Sequence, residues 1–328
     1  MPTTILASRY NTLRNSVNKI LGVSNSGEPT YGYGQGFSTN SVVGTRAVAE
    51  PSTANKVTAQ QYEDLYIDLI RVRSHQVSAS QAIDDFVIGD YTTNTGTADV
   101  IEEAYVAGLE TLANTATSAR FTVASNNLTV ASLVNASSSR LSSNGTWNGT
   151  ISHIFTVTFT NALERRHFFN AGGEIRLSAS VDYTGSQSKT VDWQSILNTM
   201  GTTSFKAETT TNNAGVGVGT SIGVYDLNAS YRRVYTRDGG AVYANNEYRI
   251  FAREYATGNS TSAIQFKIDI VDGSPNDPSY GIDESVLGSF NSVVQTAIPS
   301  SQVTINGTTH DAVTISTVPV AAIIRPLS

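Results

Sequence analysis

The chain offers four imidazoles, His75, His153, His167 and His310. None stands in an H-x-x-x-H or H-E-x-x-H pair, the spacing that places two zinc ligands on one helix face. His167 follows Arg165 and Arg166 and precedes Phe168 and Phe169. A general base there needs an orienting carboxylate, which Glu164 or Glu174 can supply. The competing reading is that these polar groups pin a loop between two strands. Asp269, Asp272, Asp277, Asp283 and Glu284 bring hard oxygen donors into one turn-rich segment, the chemistry of a calcium site. Their spacing departs from the D-x-[DN]-x-[DN]-G loop, and Asx-type turns around Pro275 and Pro278 account for the same residues.

Three further patterns invite chemistry. Gly215-Val-Gly-Val-Gly219 resembles a phosphate cradle in composition alone, because a dinucleotide fingerprint needs a strand before it and a helix after it. Residues rich in Thr and Asn precede this run and a strand pattern follows, so a hairpin or a close backbone approach is expected. Tyr225, Tyr231, Tyr235, Tyr243, Tyr248 and Tyr255 lie on strand patterns, where they can line a sugar-binding surface or fill a core as cross-strand pairs. Core is the commoner use. Glycoside cleavage would need two carboxylates about 5–9.5 Å apart in a cleft, a distance no sequence shows. With Cys at 0, disulfides, thiolate zinc sites and cysteine nucleophiles are excluded.

The 328 residues carry 21 basic and 27 acidic side chains, a net charge of −6, and only 15% charged residues in all. That balance argues against nucleic acid as main partner, which requires a basic footprint. Low charge together with 15 Tyr and 11 Phe excludes a disordered chain and leaves a surface that is cheap to desolvate. The first residues show neither a basic region nor an unbroken apolar stretch, so no signal peptide is expected. No window approaches the ~18 apolar residues of a membrane span.

The elements that must position these residues fall into two parts. Ile5, Leu6, Tyr10, Leu13, Val17, Ile20 and Leu21 make one helical stripe, opened by Thr3 or Thr4 and stopped by Gly22. Residues 22–56 lose periodicity around the Tyr31-Gly-Tyr-Gly-Gln-Gly-Phe37 run and close at Pro51. A second helix opens on a Thr58/Gln61 capping box, carries Tyr62, Leu65, Tyr66, Leu69 and Val72, and ends with Arg71, Arg73 and His75 at the negative pole of its dipole. A third runs from about Thr97 to Arg120 with Ile101, Tyr105, Leu109 and Leu112. Residues 123–141 fit a linker or weakly paired strands equally well.

From Phe121 the period becomes two. Strands are expected at 155–159, 175–183, 221–225, 231–235, 248–255, 264–271 and 314–320, with turns at Asp238-Gly-Gly240 and Asp272-Gly-Ser-Pro275. One helix, 192–200, interrupts them and stops at Gly201. The fold class is therefore α+β: an N-terminal helical docking region, 1–120, then an antiparallel β-sandwich, 121–328, with one inserted helix.

Glu164-Arg-Arg-His-Phe-Phe-Asn-Ala-Gly-Gly-Glu-Ile-Arg176, followed by Trp193, Leu197, Gly201 and Phe205, resembles a module of tail, neck or fibre proteins of tailed bacteriophages. The likeness is closest to contractile-tailed phages of cyanobacteria and other aquatic bacteria and covers about residues 155–210. Beside it stands a packing account of the same residues. Asn170, Gly172 and Gly173 form a turn between strands, and at least one of Phe168 and Phe169 points inward. Glu174 and Arg176 share a strand face, with Arg165 or Arg166 across the turn as partner for Glu174. Trp193 and Leu197 set one helix face over the sandwich edge. The resemblance implies a non-enzymatic virion component of the tail, fibre or baseplate-proximal, with a neck or collar appendage or a host glycan-binding module as alternatives. It implies no catalytic residue, cofactor or metal. Its partners would be copies of itself and other tail or neck proteins, with a host surface glycan as a further candidate. The protein would be made in the host cytoplasm and located in the virion.

Overall fold

The computed structural model describes residues 7–21, 57, 59–77, 103–130, 134–139, 146–147, 149–257, 260–274, 277, 279, 285–299 and 313–317. The expectations for Thr3 to Leu6, Gly22, the 22–56 segment, Thr58, Ile101, Pro275, Pro278, Asp283, Glu284 and His310 lie outside the described residues. The chain divides into two compact units. The first comprises Met1–Thr129, Arg166–Gly173 and Pro299–Asp311; the second comprises Val130–Arg165, Glu174–Ile298 and Ala312–Ser328.

Among the described residues the first unit is built on α1 (Ala7–Leu21), α2 (Ala59–Gln76) and α3 (Glu103–Ser118). Their apolar stripes form one core. Tyr10, Leu13, Val17 and Ile20 meet Tyr62, Leu65, Leu69 and Val72 from α2 and Val106, Leu109, Leu112, Ala113 and Ala116 from α3, all buried. Tyr10 and Tyr62 pack edge to face at 5.2 Å, a geometry the ring quadrupoles favour. Tyr105, expected on the α3 stripe, is half-buried, and Val106 takes the inward position beside it. Arg9 of α1 holds Glu110 of α3 in a two-pronged pair at 2.6 and 2.8 Å.

The α2 terminus differs from expectation. His75 is buried, and burial pushes its imidazole down to about 4, so it is neutral rather than a cation on the dipole. Its Nε2 donates to Ala171 O at 2.6 Å. The last α2 carbonyls, which every helix leaves without intrahelical donors, are met from elsewhere: Ala124 N donates to His75 O, and Asn127 Nδ2 to Ser74 O and His75 O.

Among the described residues the second unit holds two large antiparallel sheets and a two-stranded ribbon of Thr146–Trp147 with Val286–Leu287. We label its strands β1 (Val134–Ser139), β2 (Gly149–Phe159), β3 (Glu174–Asp182), β4 (Thr203–Phe205), β5 (Thr210–Asn212), β6 (Val218–Gly219), β7 (Arg232–Asp238), β8 (Glu247–Thr257), β9 (Ser260–Asp272), β10 (Ser289–Pro299) and β11 (Val313–Thr317). One sheet runs β1-β10-β3-β4-β5 and the other β11-β2-β9-β8-β7-β6. Alternation sets the inner faces: Phe155 pairs with Phe266 and His153 with Ile268 between β2 and β9. Across the sandwich, Phe205 meets Phe266 at 5.2 Å, and His153 Nδ1 shares a hydrogen bond with Ser292 Oγ at 2.7 Å. A Thr210–Thr220 backbone bridge ties the sheets at one edge. The fold class is α+β, as the change of period from 3.6 to 2 required.

One local expectation is corrected, and one left open is resolved. Residues 221–225 are not a strand but lead into a 3-10 turn, Val224–Asp226. Asp226 Oδ2 accepts from Gly223 N at 3.0 Å, and a local side-chain bond of this kind competes with strand pairing. Residues 123–141 contain a 3-10 turn at Ser125–Asn127 and short strands at Leu128–Val130 and Val134–Ser139.

Candidate functional site

The distinctive motif begins on a helix, not on a loop between strands. Residues Ala162–Asn170 form α4, helped by the good helix formers Ala162, Leu163 and Glu164. Its end is a Schellman cap: Gly173 N bonds Phe168 O at 2.8 Å and Gly172 N bonds Phe169 O at 3.0 Å. Gly172 is the left-handed residue, with φ of +84°, and a Cβ there would come within 2.7 Å of Val123. Gly173 is constrained by space instead, since its Cβ would meet Phe168 O at 2.6 Å. The Asn170–Gly173 turn is thus real but joins helix to strand. His167, Phe168, Phe169 and Asn170 are all buried, and the two Phe rings pack edge to face at 5.0 Å.

The motif's charges also pair differently. Glu174 Oε2 accepts from Arg176 Nε at 2.9 Å and from Ser204 Oγ at 3.0 Å, and Lys206 Nζ lies 3.3 Å from Oε1. Burial pushes the Glu174 carboxyl up, but Lys206, Arg176 and Ser204 outweigh it and hold the group below the usual range. Arg165 pairs with Glu254 at 3.0 Å rather than with Glu174. With Glu174 engaged by these three groups, the sequence case for it as the carboxylate orienting His167 falls away.

The inserted helix, α5 (Ser188–Met200), starts four residues earlier than its periodicity suggested, because Gln187 caps it by accepting from Thr190 N at 3.0 Å. Gly201, with φ of +59°, ends it as expected. Trp193 packs against Phe290 at 5.4 Å and Trp147 at 6.5 Å, and Leu197 is buried on the same face. Phe205 is a core ring on β4.

The acidic segment does not assemble a cation cage among the described residues. Asp269 takes Ser152 Oγ at 2.6 Å and Lys267 Nζ at 2.7 Å. Asp277 Oδ1 accepts from Ser279 N at 3.0 Å. Asp272 meets a partner that sequence gave no means of finding: Lys189, in the first turn of α5, with Nζ 3.0 and 3.2 Å from the two carboxylate oxygens. Both side chains have no exposed surface. Lys189 Nζ also donates to Ser274 O at 2.9 Å, while Asn246 Oδ1 accepts from Gly273 N and Ser274 N. Burial pushes the Asp272 carboxyl up to about 6, with Lys189 opposing.

The glycine run 215–219 is a close-approach hairpin. Gly215 and Gly217 have positive φ, and a Cβ on Gly217 would meet Tyr235 Oη at 2.4 Å. The tyrosines divide. Tyr235, Tyr243 and Tyr248 are buried, whereas Tyr225, Tyr231 and Tyr255 are half-buried. On the outer face of the second sheet the Arg253 guanidinium lies 4.5 Å from the Tyr231 ring centroid and 5.3 Å from that of Tyr255, and donates to Gln265 Oε1. Lys267 Nζ lies 4.5 Å over Phe251. This is a ladder of rings and cations rather than a flat aromatic platform.

Among the described residues no helix is long and apolar enough to cross a membrane, and no group of three or more His, Asp or Glu could hold a metal ion. Comparison with known proteins finds no family model, no curated protein and no solved structure that matches the chain.

Proposed function

We propose that the protein is a non-enzymatic structural component of a phage tail, fibre or baseplate-proximal, that acts by self-association and docking. The observation that carries this reading is how the phage-like module uses its residues. Its glycines form a helix cap, its rings fill cores, and Glu174, Arg176 and Arg165 close ion pairs within the fold. The low charge content favours a surface that desolvates against neighbours, in contacts of at least about 1,000 Å². Light scattering on the purified full chain, with parallel incubation on host polysaccharide, tests it. A discrete homo-oligomer with no release of reducing sugar is expected. A monomer that cleaves the polysaccharide, and stops when one carboxylate is replaced, would overturn the proposal. A neck or collar appendage is the alternative position within the virion.

A second reading, a glycan-binding attachment module, draws on the half-buried Tyr231, Phe251 and Tyr255 alternating with Arg253 and Lys267. Rings for stacking and cations for acidic groups suit a charged polysaccharide. Binding to such a glycan that is lost in Tyr255→Ala would favour it.

A further inference from the structure

We propose that Lys189 and Asp272 close a covalent amide in the folded chain, cross-linking the first turn of α5 to the end of β9. The inference is independent of the virion reading. Nζ stands 3.0 and 3.2 Å from the two carboxylate oxygens, so the amine already lies against Cγ. Neither side chain has any exposed surface, so water does not dilute the encounter. Reacting groups held this way behave as if at very high effective concentration.

Two ions in a dry interior each carry a desolvation cost, which proton transfer from ammonium to carboxylate relieves. The upward displacement of the Asp272 carboxyl, caused first by burial, has the same direction.

A second observation points to the reaction itself. Asn246 Nδ2 and Ser274 Oγ are buried donors with no hydrogen-bond partner. Buried polar groups are seldom left in that state. Both belong to the cluster around the pair: Ser274 O accepts from Lys189 Nζ, and Asn246 Oδ1 holds Ser274 N. Unsatisfied donors buried in the cluster that holds the pair are groups a developing oxyanion can recruit.

The step balances within the two side chains. The Nζ lone pair attacks Cγ of the protonated acid, and a tetrahedral centre forms. The Cγ–OH bond then breaks, the hydroxyl leaves as water with a proton from Nζ, and an amide remains. No oxidant, cofactor or further reactant is required. The resulting loop joins residues 83 positions apart and encloses strands of both sheets.

The test is the intact mass of the purified full chain, followed by a tryptic map. The expected result is a mass one water below that of the sequence in the bulk of the molecules, with a branched peptide joining Lys189 to Asp272. Lys189→Met, close in length, should return the full mass. The full sequence mass in the wild-type chain would overturn the proposal. So would a water loss confined to Asp272–Gly273, the signature of a cyclic imide, with no branched peptide, or a loss that persists in Lys189→Met. The wild-type map decides even where the variant fails to fold.

Discussion

The helical unit and the sandwich distribute their buried polar groups differently. In the helical unit the core comes from apolar stripes at helical spacing on α1, α2 and α3, and the buried polar side chains of those helices, Asp68, Arg73, His75 and Gln76, all lie on α2. In the sandwich, polar groups are built into the interior: Lys189 against Asp272, His153 against Ser292, and Glu174 among Arg176, Ser204 and Lys206. An apolar core forgives local changes in proportion to the volume removed. A buried polar pair does not, because removing one member strands the other. Single substitutions at the buried polar pairs of the sandwich should therefore be among the most damaging.

The largest expected effect follows directly. Asp272→Ala leaves the Lys189 amine buried without Asp272, whether amide or ion pair joins them, and should cost at least about 3–5 kcal/mol, read as a large fall in the denaturation midpoint. A loss below about 1 kcal/mol would mean that Lys189 reaches water, and the contrast between the units would fail.

Acid should come next. His75 and His153 are each pushed down to about 4 by burial, one in each unit. The unfolded chain takes up these protons near pH 6.5, whereas the folded chain does so only near 4. Stability from each is thus full above 6.5 and lost as pH falls toward 4, by about 3 kcal/mol per histidine. Glu174, held below the usual carboxylate range, adds loss only at still lower pH. Chemical denaturation at a series of pH values, repeated with His153→Gln, measures the slope. A flat profile from 6.5 to 4 would contradict both assignments.

Gly172→Val should have a smaller effect in the same direction. A β-branched residue at positive φ costs about 1–3 kcal/mol, before the contact with Val123 is counted. An unchanged melting temperature would reject the helix cap. Arg9→Ala is the mildest change: the Arg9–Glu110 pair is about one-third exposed, and its loss should cost no more than about 1 kcal/mol.

The same contrast explains how much of the molecule was legible in its sequence. Tyr10, Leu13, Val17, Leu65 and Leu69 announce their helices because the period that makes a helix also makes its buried face. Strand alternation at 155–159 and 264–271 is local in the same way. The nine-residue α4 is too short for its period to stand out, although Gly172-Gly173 after Asn170 carried the signal of a helix cap. Arg165 and Glu254 are 89 positions apart, and Lys189 and Asp272 are 83. No periodicity links such pairs; only the sandwich topology brings them together. His75 looked like a cation at a helix end, and its burial depends on Ala124, Asn127 and Ala171, which come from distant segments. The candidate site was therefore half visible: the motif's residue types could be read, but its pairings could not.

The central claim is the proposal that the chain is a structural part of a tailed particle, its distinctive residues serving its fold. The most direct test is quantitative mass spectrometry of gradient-purified particles from the lysate in which the chain is expressed. The account predicts the full-length protein in fixed, multiple copies per particle, retained when the tails are isolated. Its absence from purified particles, with the protein found only free in the lysate, would contradict that claim.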